Sequence, residues 1–253
     1  MSLANSKALK AMAAGAAAFA SLALGGAAMA QAIVIRSTGP SAGQYPQGKK
    51  LPAAASVTLR AGDRVTVLDK SGTRVLSGPG TFSVTGAVDH TNSGGAVETM
   101  LAMGGARMRT RTGAVRGDLP DAAPPTGPDS VWYIDVSKGG TYCVADPAKL
   151  VLWRPNHVEA ASGKLAGASG TVASVEWKRG NALKLWPSAA LPVVDGKSYT
   201  FSDPVGPSVT ITTRLMGEVP ADSMDIAAKM AAMGCTRQLD VLANTAAAGT
   251  PGG

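Results

Sequence analysis

Histidine and cysteine are nearly missing from this 253-residue chain, which has two of each. No Cys-x-x-Cys, His-Glu-x-x-His or calcium-loop spacing occurs, so zinc-finger, zinc-protease and EF-hand chemistry are set aside. Neither a metal nor another cofactor is expected. Any Ser-His-Asp relay would have to use His90 or His157, and neither lies near an obvious nucleophile in the sequence. Long apolar runs are also missing. The longest, Ala11 to Leu24, is mostly alanine and falls short of the ~20 residues that cross a bilayer.

That run reads instead as the middle of a secretory signal peptide over residues 1–30. Lys7 and Lys10 precede it, and the small-x-small triplet Ala28-Met29-Ala30 follows, so cleavage is expected before Gln31. No cysteine follows the triplet, so lipid attachment there is not supported, and no transmembrane segment remains after cleavage. The mature chain is expected to be periplasmic or secreted. Removing both lysines lowers the formal charge from +7 to +5, and mild basicity in an exported chain does not call for nucleic acid. Outside the reducing cytoplasm an even cysteine pair is usually oxidised, so Cys143 and Cys235 are expected to form a disulfide; two buried free thiols are the alternative.

Aromatics make up 4% of the chain, while glycine, proline, valine and threonine recur in short runs. That composition favours many short strands over a helical bundle, and the class is mainly β. Residues 31–86 read as a small β module. Ile33 to Arg36 opens it, Val57 and Leu59 then Val65 and Val67 alternate with polar neighbours as half-buried strands, and Asp69-Lys70-Ser71-Gly72 supplies a hairpin turn. Residues 87–130 read as a short helix over Ala96–Met103 and a basic, proline-rich linker. Residues 131–245 carry about seven strands of a β-sandwich-like domain or small barrel, then a C-terminal helix capped by Asp222 or Ser223. Ile226, Met230 and Met233, then Cys235, Leu239 and Leu242, mark its buried face. Residues 246–253 read as a disordered tail.

The segment Leu59-Arg60-Ala61-Gly62-Asp63-Arg64-Val65-Thr66-Val67-Leu68-Asp69, continued by Ser71 to Leu76 and Gly78-Pro79-Gly80-Thr81-Phe82, resembles the FecR-type domain of bacterial envelope proteins. Lys70-Ser71-Gly72 stands where that family carries an Asp-Gly-Ser-like turn. The whole chain also resembles exported bacterial proteins that join such a module to a Trp-containing β domain and a final Gly-Cys-containing helix. The resemblance implies an envelope location and a relay to a membrane partner, and it brings no catalytic residues.

Gly39-Pro40-Ser41-Ala42-Gly43 satisfies the nucleophile-elbow pattern but lacks the helix that must follow, so Ser41 reads as a turn serine. Arg107, Arg109, Arg111 and Arg116 have no acid among them and are candidates for binding anionic phosphate groups of lipids, against a solvated linker. Trp132, Trp153, Trp177 and Trp186 read mainly as core; Trp153 and Trp186, each close to a proline at a strand end, are candidates for a ligand-accessible rim. The expected function is non-enzymatic binding or signalling at the envelope through a protein partner. A glycan- or peptidoglycan-binding module is the alternative, and an exported hydrolase a third reading.

Overall fold

The computed structural model describes residues 30–84, 101 and 127–248. Among these the protein is mainly β, with two helices at the C-terminal end. The first β unit holds β1 (Ala30–Thr38), β2 (Lys50–Pro52), β3 (Ser56–Leu59), β4 (Arg64–Asp69), β5 (Gly72–Ser77) and β6 (Gly80–Ser83). Strands β2-β1-β4-β5 make one antiparallel sheet and β3-β6 a two-stranded one. The β4–β5 turn follows the chemistry of its residues. Asp69 accepts from the Ser71 amide at 2.8 Å, and its other oxygen lies 3.2 Å from the buried Arg74 guanidinium.

The second unit holds β7 (Tyr133–Asp135), β8 (Gly140–Val144), β9 (Val151–Trp153), β10 (Ala161–Gly167), β11 (Val172–Trp177), β12 (Leu183–Leu185), β13 (Ser198–Ser202) and β14 (Val209–Leu215). A five-stranded sheet runs β11-β10-β13-β14-β8, and a three-stranded sheet runs β12-β9-β7. Residues of both share one core, with Ile134 and Leu152 from one sheet and Leu165, Val175, Tyr199 and Ile211 from the other. Strand β10 escapes the sequence reading because Ala-Ser-Gly-Lys-Leu-Ala-Gly has little β propensity. It forms because β11 and β13 flank it on both sides.

Strands β1 and β4 are buried on two faces, which for β4 differs from the half-buried expectation. Ala32 and Val34 of β1, with Val65 and Val67 of β4, pack into the first unit's own core. Ile33, Ile35 and Leu68 point the other way into a second core, with Val131, Trp132, Cys143 and Met216 of the second unit. The C-terminal residues Ile226, Ala227, Met230, Cys235, Leu239 and Leu242 fill that same core. The run Ile33-Val34-Ile35 is the sequence trace of a strand with two apolar faces.

The single C-terminal helix expected from the sequence is two: α1 (Ser223–Ala232) and α2 (Thr236–Ala248). Asp222 caps α1 by accepting from the Met224 and Asp225 amides. Gly234 ends it at φ +77°, with its amide bonded to the Ala231 carbonyl and the Cys235 amide to that of Met230, a Schellman turn. The apolar spacing continues across the break because the turn leaves Met230 and Cys235 in the same core. Helix α2 extends through Ala248, three residues into the expected tail, in keeping with the helix propensity of alanine.

Cys143 and Cys235 are disulfide-bonded, with Cα atoms 5.7 Å apart. Beside the bond, the fully enclosed Gln238 of α2 completes the free edge of β8. Its Oε1 accepts from the Cys143 amide at 2.6 Å, and its Nε2 donates to the Cys143 and Val131 carbonyls, both at 2.8 Å. Replacing Gln238 by leucine strands three buried main-chain groups, and we expect a loss of about 3 kcal/mol or more, read by urea unfolding. Cys143→Ala with Cys235→Ala is expected to cost about 4 kcal/mol, because the bond closes a loop of 92 residues. Equal stability of the oxidised protein and the double variant would contradict it.

Candidate functional site

A cleft of about 740 Å³ opens at the end of the second unit away from the helices. Four segments build it: the chain after β7, the loop from Arg154 to Ala161, the end of β11, and the loop after β13. Its floor is apolar. Trp177 and Phe201 meet edge to face with centroids 5.9 Å apart, and both are almost wholly enclosed. Gly163 on β10 makes that arrangement possible, since a Cβ there would lie 2.5 Å from the Phe201 ring. Val205, 97% exposed, stands on one lip.

Arg154 is the charged residue of the floor and is only 7% exposed. It leaves β9 immediately after Trp153 and ties the 178–181 turn to the chain at Glu159. Its Nε donates to the Asn181 carbonyl at 3.1 Å, and its Nη2 donates to the carbonyls of Glu159 at 2.5 Å and Lys178 at 3.4 Å. The guanidinium lies 5.8 Å from the centre of the Trp177 ring, within cation–π range. Burial holds its pKa below the usual arginine value. Glu159, Glu176 and Asp203 form an acidic rim above it. Glu159 pairs with Arg179 at 3.1 Å, and Asp203 accepts from the Val205 and Gly206 amides of its own loop. The Trp177 Nε1 is buried without an acceptor among the described residues.

The sequence candidates fall elsewhere. Trp153 and Trp186 are both 4% exposed core residues and line none of the described clefts, which corrects the expectation of an accessible rim. Trp186 Nε1 donates to the Leu191 carbonyl at 2.7 Å and its ring meets Tyr199 edge to face, so core packing and one internal acceptor use up the whole indole. The tryptophan at the cleft is Trp177, for which the sequence pattern indicates only core packing. Arg107, Arg109, Arg111 and Arg116 lie outside the described residues, as does His90. His157 is half-buried on the loop after β9 and does not line the cleft.

Ser41 is 2% exposed in the first unit and belongs to a packed turn. Its amide donates to Asp63 Oδ1 at 2.8 Å, while the Arg60 amide donates to Oδ2 at 2.5 Å. Gly39 allows this approach: at φ +100°, a Cβ would lie 2.6 Å from Asp63 Oδ1. Gly39 and Ser41 of the Gly-x-Ser-x-Gly pattern are thus accounted for by one buried carboxylate. Burial alone would raise the Asp63 pKa, but the hydrogen bonds from the Ser41 hydroxyl and amide and from the Arg60 amide hold it below the ordinary value of 3.8.

A carboxyl with a folded pKa below its unfolded one stabilises the fold above the unfolded value and loses that contribution as pH falls through the folded value. Asp63→Asn should therefore lower Tm by several degrees at pH 7 and by progressively less below about pH 4, followed by thermal melting across pH; a pH-independent deficit would contradict it. Arg154→Met strands the carbonyls it joins and should cost about 2–3 kcal/mol in urea unfolding, with Arg154→Lys recovering only part. Comparison with known proteins leaves the site to its own chemistry: no family profile, curated protein or solved structure matches this chain.

Proposed function

We propose that this is an exported, non-enzymatic binding protein of the bacterial envelope that engages a protein partner through the cleft over Arg154, Trp177 and Phe201. The observation that carries the reading is the composition of that cleft: an enclosed aromatic floor, one buried guanidinium and a rim of carboxylates. Such a site, apolar with a few placed polar groups, is the usual form of a ligand pocket. Its serines do not suggest a nucleophile, since the Ser137 hydroxyl donates to Asp135 at 2.6 Å and no histidine or cysteine is among the lining residues.

Export is supported by the signal-type pattern of residues 1–30 and by the disulfide between Cys143 and Cys235. A signalling role is supported by the FecR-type resemblance of residues 59–82, whose sheet shares a core with the unit that carries the cleft. Signal relay then runs from an occupied cleft to a separate membrane protein. The competing reading is a glycan on Trp177, with the rim carboxylates accepting from sugar hydroxyls.

The two readings separate in one paired experiment on the mature protein and its Val205→Glu variant. Incubation with detergent-solubilised envelope membranes should show saturable capture of a membrane protein, weakened about tenfold or more by the variant. Sedimentation with purified cell wall should be no greater than background for both. Wall binding that the variant abolishes, with no membrane protein captured, would replace the partner by a glycan.

A further inference from the structure

Arg154 differs from the other buried arginine in what balances its charge. Arg74 lies 3.2 Å from the carboxylate of Asp69. Arg154 has no carboxylate within ion-pair distance among the described residues, and all its acceptors are main-chain carbonyls. Its Nη1 donates to none of them and keeps contact with solvent, and Arg154 lines the cleft. An enclosed cation without an anion is costly, and a guanidinium with free N–H groups suits a carboxylate. From this, and resting on the binding function just proposed, we infer that the cleft takes the carboxyl-terminal end of a polypeptide, with its terminal carboxylate on Arg154 and an apolar last side chain against Trp177 and Phe201.

The remaining groups narrow the ligand to that class. The rim carboxylates Glu159, Glu176 and Asp203 repel a polyanion, so the site admits one negative charge at the floor and disfavours phosphate-rich molecules. Glu176 has no hydrogen-bond or ion-pair partner among the described residues, and it stands exposed where the N–H groups of a peptide would pass. At about 740 Å³ the cleft holds a few residues and no folded domain. A fatty acid offers the carboxylate and the apolar body but no N–H for Glu176. A peptide terminus offers all three, and capture of a terminal carboxylate is an established mode of peptide recognition.

The test uses the full mature chain and three probes followed by calorimetric titration: acetyl-Ala-Ala-Ala-Phe as the free acid, the same peptide as its carboxamide, and decanoate. The free acid should bind at least about tenfold more tightly than the carboxamide and than decanoate. Glu176→Gln should weaken it a few-fold and Val205→Glu about tenfold, and both variants should keep the parent Tm because both side chains are exposed. Arg154→Lys should remove most of the preference for acid over carboxamide; that ratio is read within one protein and so is independent of any loss of stability. Equal binding of acid and carboxamide overturns the inference, as does decanoate matching the peptide. If no peptide binds at about 10 mM while Val205→Glu still loses the membrane partner, the inference falls and the binding function stands. If the free acid binds as described and no membrane protein is captured, the terminus-binding cleft stands and the partner reading falls.

Discussion

One side-chain amide fixes the C-terminal helix layer to the edge of the second unit. Gln238 accepts from the Cys143 amide and donates to the Cys143 and Val131 carbonyls, so it substitutes for the missing neighbour of edge strand β8. An open edge is a liability for any sheet, and covering it with a helix is one way to remove it. Here the cover has a second consequence. The helix fixed to β8 also packs on β1, β4 and β5, so the partner of the second unit's edge becomes the lid of the first unit's sheet. Arg36 of β1 reinforces the junction, with Nε 3.1 Å from Asp240 and Nη1 donating to Asn244 at 2.7 Å.

The disulfide and the amide act on different states. The Cys143–Cys235 bond restricts the unfolded chain by closing a long loop, in the chain-entropy account. Gln238 acts on the folded state alone, by satisfying groups that burial would otherwise leave unpaired. Both converge on Cys143, and both come from the turn and first helical turn after Gly234. The Schellman turn at Gly234 is therefore where the geometry is decided, since it aims Cys235 and Gln238 at the same strand.

Much of this was legible because it follows from spacing. The strand alternation at Val57, Leu59, Val65 and Val67, the cap at Asp222, and the apolar face from Ile226 to Leu242 are local patterns with local causes. What was not legible depended on partners distant in sequence. Leu68 and Ile35 face a helix more than 150 residues away, so nothing near them signals a second buried face. Strand β10 exists because of its neighbours and includes a glycine that serves the Phe201 ring. The candidate site was missed for a related reason. Pro155 after a strand end singles out Trp153 in the sequence, yet the strand turns Trp153 into the core and leaves Arg154 under the cleft.

The five-stranded sheet is used unequally, and that inequality gives the cleft its character. At the β8 end the outward side chain Cys143 lies under a helix layer, in a core shared with the first unit. At the β11 end the outward residues Ser174 and Glu176 of β11, and Ser162 and Lys164 of β10, are exposed and polar. The cleft forms at this uncovered end, where the two sheets of the second unit part and the loops after β9 and β13 frame the gap. Arg154 spans that gap by bonding the 178–181 turn and the Glu159 carbonyl at once. An anion drawn to its free Nη1 would therefore act on the group that joins these turns, so ligand binding and the closure of this end of the core share one guanidinium.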